Sequence, residues 1–178
     1  VNPVDIFIQQ LDKDILSQKL TVVDMGCGEA KIMQKFSDSD KSIKIHSYDL
    51  ASSYPGVVVC DMSKVPLPSS SVDIVIFCLS LMNTNFVDAI KEARRILKPK
   101  SGILRIAEVE SRFENGPAKF VSVVEEVGFK NRYVDTQYKV FTIFEFISSD
   151  LHGLKCTAHS KDRRESDQIL KPCLYKKR

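Results

Sequence analysis

Apolar residues along this chain recur with two alternating periods. From Pro3 to Leu16 they return at helical spacing, and Pro3 suits a first helical turn, so a leading helix is predicted over 3–16. A β-branched run at Val22-Val23 then drives into Asp24, Gly26 and Gly28, and a short helix follows over 31–36. Strands are predicted at 43–49, closing on Asp49, and at 57–62, closing on Asp61, with a Pro55-Gly56 turn between them. After a Pro/Ser loop at 66–71, residues 72–78 form a near-continuous apolar run, the pattern of a central parallel strand buried on both faces. Phe86, Val87, Ile90, Ala93 and Leu97 alternate with charges, giving a helix over 84–98 that Lys98-Pro99 and Gly102 end. A strand at 103–108, a helix at 117–127 closed by Gly128, and two consecutive strands at 130–135 and 140–147 complete the regular pattern. Residues 148–168 are polar and basic without period, which predicts a mobile loop. Ile169 to Tyr175 reads as an edge segment, because Pro172 cannot sit in a central strand.

The strand, turn and helix around Asp24-Met-Gly26-Cys-Gly28 are where an α/β sheet receives a nucleotide-like ligand. Two glycines at alternate positions remove Cβ atoms that would hold the backbone away from such a ligand. A dinucleotide fingerprint would need a third glycine at position 31, which is Lys31. Asp49 stands 21 positions after Gly28, about the length a strand-turn-helix-strand unit needs to return to the same sheet edge. An acid there can accept from both ribose hydroxyls. Singly, each acid is an ordinary turn or N-cap residue; Asp24, Asp49 and Asp61 in order behind a glycine turn point to a ligand.

Composition sets the class. At 178 residues, with 43% hydrophobic and 28% charged side chains, the chain fits one soluble domain, 1–178, with a core of its own. No apolar run is long enough to span a bilayer, and no signal-peptide pattern opens the chain. It begins with Val1, so a piece of a longer protein is expected. The five cysteines include no Cys-x-x-Cys pair and the three histidines have no ligand spacing. The expectation is reduced thiols in cytosol or nucleus and no metal site. The net charge of +3 is uneven: residues 151–178 hold eight Lys/Arg and three acids, a net +5, which leaves −2 on the first 150. A basic C-terminal tail over 151–178 suggests a polyanionic partner, or else a merely solvated tail.

The acidic-x-Gly-x-Gly turn resembles the first motif of S-adenosylmethionine-dependent methyltransferases, whose usual third glycine is Ala30 here. That resemblance implies a seven-stranded, Rossmann-like class I methyltransferase fold, α/β, mostly parallel with a C-terminal antiparallel hairpin. It implies a cofactor site of Asp24, Gly26, Gly28, Asp49, Asp61, Met62 and Cys78. Asp61 would accept from the adenine amino group and Met62 would pack on the ring. The product would be S-adenosylhomocysteine.

Longer matches narrow the family. Tyr48-Asp49-Leu-Ala-Ser, Cys60-Asp61-Met62, Phe77-Cys78-Leu-Ser-Leu-Met82-x-Thr-Asn85, Glu92-Ala-x-Arg95-x-Leu-Lys-Pro99, Glu108-Val-x-Ser-Arg112-Phe113 and the terminal Lys-Pro-Cys-Leu-Tyr-Lys-Lys-Arg closely resemble the ribosomal RNA-processing protein eight (nucleomethylin) family, over essentially the whole chain. In that family a segment with a cofactor-side histidine precedes the match to Asn2-Pro-Val-Asp5. The resemblance implies methylation of N1 of an adenosine in large-subunit ribosomal RNA, in the nucleolus. In animals it also implies a silencing complex of nucleolar chromatin proteins on ribosomal DNA.

The loop after the central strand fits this. It lacks the Asp/Asn-Pro-Pro-aromatic motif for exocyclic amino groups, and it lacks the Pro-Cys that supplies a C5 nucleophile. Pro172-Cys173 lies far from the cofactor residues in sequence. Adenine N1 carries a free lone pair, so positioning matters more than acid–base groups. The base must be unpaired or flipped out. Asn83, Arg112 and Phe113 are the candidates to hydrogen-bond it, hold phosphate and stack, with a core role equally open for Phe113. An adaptor role with methylation lost, and a small-molecule methyltransferase, are the alternatives. The basic tail disfavours the second.

Overall fold

The computed structural model describes residues 1–36, 42–52, 54–82, 86–150 and 169–171. The chain opens with α1 (Pro3–Asp14), β1 (Leu20–Met25), α2 (Lys31–Phe36), β2 (Ile43–Asp49), β3 (Val58–Val59) and β4 (Ile74–Cys78). It continues with α3 (Phe86–Ile96), β5 (Ile103–Val109), a 3-10 turn at Glu110–Arg112, α4 (Ala118–Glu126), β6 (Phe129–Asp135) and β7 (Phe141–Ser148). Asn2 caps α1 through its side chain, which accepts from the Val4 amide at 3.1 Å, and Pro3 fills the first turn. The helix stops two residues short of the predicted end because the chain turns there and the Ser17 hydroxyl takes the Asp14 carbonyl at 2.9 Å.

The seven strands form one sheet in the order β3-β2-β1-β4-β5-β7-β6. The first five pair in parallel, and β7 runs antiparallel between β5 and β6. This is the predicted architecture. The third strand is the exception: of residues 57–62 only Val58–Val59 pair with β2. Asp61 ends the pairing, because its Oδ1 accepts from the Ser63 amide at 2.8 Å and turns the chain away.

Alternate strand residues face opposite layers. Val22, Ile74, Ile76 and Ile143 pack against α1 and α2, whereas Val23, Val75, Phe77 and Phe144 pack against α3 and α4. On the second face Phe86, Phe113, Phe120 and Phe144 form a ring cluster with centroids 5.0–5.6 Å apart. Residues 60–73 cross from β3 to β4 with no helix among the described residues. The pair Glu92 and Arg95 of α3, 2.6 Å apart, braces this loop. Glu92 accepts from the Val65 amide at 2.8 Å, and Arg95 donates to the Leu67 carbonyl at 2.9 Å. A sequence motif read only as family resemblance therefore lets α3 fix a crossover that contains no helix of its own among the described residues.

Candidate active site

The glycine turn lies at the carboxyl end of β1, between the ends of β2 and β4. The Tyr48 carbonyl accepts from both the Gly26 and Cys27 amides, at 2.8 and 3.1 Å, which ties the turn to β2. Gly26, Gly28 and Ala30 all take positive φ, at 69°, 53° and 55°. Ala30 thus holds a left-handed backbone that costs an alanine about 1–2 kcal/mol, at the position where the family resemblance implied glycine.

The two glycines serve different ends. A Cβ on Gly26 would stand 2.5 Å from Cβ of Ser80, so that glycine is required by the close approach of the loop after β4. The Ser80 hydroxyl donates to the Met25 carbonyl at 2.6 Å and holds the loop there. A Cβ on Gly28 would meet none of the described residues within 4 Å. Close packing against Ser80 is thus a second demand on Gly26, beside the room for a ligand that the sequence predicts.

Asp49 ends β2 with Oδ2 accepting from the Gly28 amide at 2.8 Å and Oδ1 accepting from the Ala51 amide at 3.3 Å. Asp24 is the penultimate residue of β1, just before the turn, and is 3% exposed. Burial, reinforced by the nearby Asp49 charge, pushes its pKa up to about 7. Asp61 is held below the usual carboxylate range by its hydrogen bonds to Ser63. Asp61 and Met62 line a cleft of about 60 Å³ with Ser63, Ser80, Leu81, Phe86 and Ala89. Met62 reaches the turn itself, its Cε 3.5 Å from where a Gly26 Cβ would stand. Ser80 and Leu81 belong to the loop after the central strand that the sequence singles out, but only the sheet shows that they stand beside the glycine turn.

The thiols of Cys27 and Cys78 are both raised to about 12, by burial first and then by Asp24. Each is a neutral packed thiol rather than a nucleophile. Among the described residues, no group of three His, Cys, Asp or Glu side chains is placed to hold a metal ion.

Two of the three substrate candidates lie in the interior. Arg112 is 3% exposed, paired with Glu108 at 2.5 Å and donating to the Leu81 and Lys171 carbonyls at 2.7 and 2.8 Å. Its donors are engaged within the protein, so the phosphate role is withdrawn. Phe113 is 7% exposed inside the ring cluster of the second face, so it packs the core instead of stacking on a base. Asn83 lies outside the described residues, as does the basic tail apart from Ile169–Lys171.

A family model described as a hypothetical methyltransferase matches residues 1–178. The chain belongs to this methyltransferase family. It is 41% identical over 184 residues to the 25S rRNA (adenine(645)-N(1))-methyltransferase of Schizosaccharomyces pombe, a match that covers 99% of the chain and 55% of that protein. It is 39% identical over 185 residues to ribosomal RNA-processing protein 8 of Dictyostelium discoideum, covering 100% of the chain and 46% of the relative. The chain thus spans about half the length of these curated relatives. The motif resemblance to the ribosomal RNA-processing family is borne out by these relatives. Among solved structures, the fold is similar to a Burkholderia thailandensis 1,6-didemethyltoxoflavin-N1-methyltransferase crystallised with S-adenosylhomocysteine. The TM-score is 0.66 at 12% identity, over 80% of this chain and 77% of that one. A SAM-dependent methyltransferase from Aquifex aeolicus matches with TM-score 0.61 at 16% identity, over 79% and 89%.

Proposed function

We propose that this methyltransferase acts on N1 of an adenosine in large-subunit ribosomal RNA, in ribosome biogenesis in the nucleolus, with S-adenosylmethionine as methyl donor. The observation that carries the reading is the 41% identity, over 99% of the chain, to the S. pombe 25S rRNA adenine N1-methyltransferase. The residues present fit the cofactor. A side chain at Gly28 would meet none of the described residues within 4 Å, and Gly28 stands beside Asp49, whose carboxylate keeps acceptor capacity for ribose hydroxyls beyond its two backbone contacts. Asp61 and Met62 line the adjoining cleft, where an adenine amino group and ring would be held.

When bound, S-adenosylmethionine supplies an electrophilic methyl on a sulfonium. The attacking lone pair of adenine N1 is free at neutral pH, so the protein has no proton to remove before attack. That agrees with a site whose thiols are neutral and whose innermost acid, Asp24, is buried. What the chain contributes is orientation: the loop after β4 and the glycine turn fix the two reactants in line and exclude water.

The test is the modification itself. N1-methyladenine blocks the Watson–Crick edge, so reverse transcriptase stops or misreads at that position. The stop should vanish in cells lacking the protein and return with the wild-type gene, but not with Gly28→Arg. A stop restored by the cofactor-blocked variant would make the protein a scaffold for another enzyme. Nucleoside mass spectrometry that shows no protein-dependent N1-methyladenine in the large-subunit RNA would overturn the reading.

A further inference from the structure

The segment Leu79–Met82 leaves β4 and forms one wall of the cleft beside Asp61 and Met62. A single residue of it is gripped from both sides. The Leu81 amide donates to Glu108 Oε1 at 2.9 Å, and the Leu81 carbonyl accepts from Arg112 Nη2 at 2.7 Å. Glu108 and Arg112 are themselves paired at 2.5 Å, with 1% and 3% of their surfaces exposed. One residue earlier, Ser80 is fixed against Gly26 and the Met25 carbonyl. Leu79, at φ 57°, donates to the Ala107 carbonyl at 2.9 Å. The wall is therefore spanned between the glycine turn on one side and a buried ion pair on the other.

A buried ion pair is a poor source of stability, since apolar side chains of similar volume often serve as well. What apolar side chains cannot do is satisfy both peptide groups of one loop residue away from water. The molecule offers a contrast. Another buried pair, Arg105–Glu145 at 2.9 Å, engages the Asp14 and Arg132 side chains and joins α1 to β6 and β7. Arg105 lies 2.7 Å from Asp14, an ion pair by distance without hydrogen-bond alignment. That pair braces the fold. The Glu108–Arg112 pair holds the cleft wall, and it is itself held: Arg112 Nε donates to the Lys171 carbonyl at 2.8 Å, and the Lys171 amide donates to the Arg112 carbonyl at 3.1 Å. Ile169 and Leu170 are buried beside it.

We propose that Glu108 and Arg112 are positioning residues for methyl transfer, holding Leu79–Met82 at the height over the glycine turn at which the substrate base meets the methyl. The proposal rests on the adenine-methyltransferase reading of the site. The pair touches the loop backbone, so its effect on the reaction runs through Leu81.

Single-turnover transfer from labelled S-adenosylmethionine to a large-subunit RNA fragment tests it, with the rate constant divided by the folded fraction from circular dichroism. Calorimetry with S-adenosylhomocysteine runs alongside. Arg112→Met should lower the constant per folded molecule roughly ten- to hundredfold, the scale of a displacement of about an ångström, with product affinity unchanged. Arg112→Lys and Glu108→Gln, which each keep a polar group for both peptide groups of Leu81, should lose less, and they carry the test if Arg112→Met does not fold. Arg105→Met should lower the unfolding midpoint and leave the constant per folded molecule at the wild-type value. Wild-type constants in the Glu108 and Arg112 variants, or losses no larger than that of Arg105→Met, would overturn the proposal while the function stands. A wild-type protein that methylates no adenine removes the function, and the proposal with it.

Discussion

The Asp49 carboxylate accepts a hydrogen bond from the Gly28 amide at 2.8 Å, across 21 residues of sequence. The acid at the end of β2 thus pins the very turn whose ligand it would bind. The two features read separately from the sequence are one structural unit, and a substitution at either disturbs both.

Asp49→Ala should therefore weaken S-adenosylhomocysteine binding more than loss of a ribose contact alone. Losing a charged acceptor costs about 1.5–3 kcal/mol, roughly ten- to a hundredfold in affinity. Freeing the Gly28 amide adds to it. Asp49→Asn keeps an acceptor oxygen and should fall between. Calorimetry gives both constants, and an unchanged affinity in Asp49→Ala would remove Asp49 from the site.

The two glycines should separate folding from binding. Gly26→Ala forces a Cβ to within 2.5 Å of Ser80 Cβ. Overpacking of that kind costs about 1–3 kcal/mol, on top of about 1–2 kcal/mol for the left-handed backbone. Gly28→Arg carries that backbone cost, and its Cβ would meet none of the described residues within 4 Å. In urea titration Gly26→Ala should be the less stable. In calorimetry Gly28→Arg should be the folded variant that binds no S-adenosylhomocysteine. The reverse ranking would mean that ligand space lies at Gly26.

Asp24 gives the fold a pH dependence with a definite sign. Its pKa, raised to about 7, means that the folded state holds this proton more tightly than the unfolded state, where the carboxyl has its ordinary value. Its contribution is full in acid and is lost as pH rises from the carboxylate range through about 7. Asp24→Asn should remove that decline. Urea midpoints of wild type and variant should converge below about pH 4 and diverge in favour of the variant near about pH 8. Parallel curves would show that Asp24 is ionised throughout.

The basic tail makes a prediction from charge alone. Replacing Arg163, Arg164, Lys176, Lys177 and Arg178 by Gln should weaken binding to ribosomal RNA fragments. It should also flatten the plot of log K against log salt by about 0.7–0.9 for each phosphate the variant leaves unneutralised. An identical slope would leave the tail solvated and without an RNA role.

The chain's own order of residues determined the fold class. Apolar, β-branched runs ending in Asp24, Asp49 and Asp61, separated by helical periods, left little choice but a doubly wound sheet, with those acids expected at its ligand edge. These signals are local, so they are legible in one dimension. The roles of Gly26, Arg112 and Phe113 were not. Each depends on which strand ends meet across the sheet: Ser80 against Gly26, Leu81 between Glu108 and Arg112, Phe120 and Phe144 around Phe113. An arginine and a phenylalanine near a site read alike in sequence whether they face the ligand or the interior. Burial decides between those roles, and it is a property of packing between residues far apart in the chain. Local order therefore set which strand ends carry the acids and the glycine turn, and tertiary contact set which side chains near them are buried and which are left exposed.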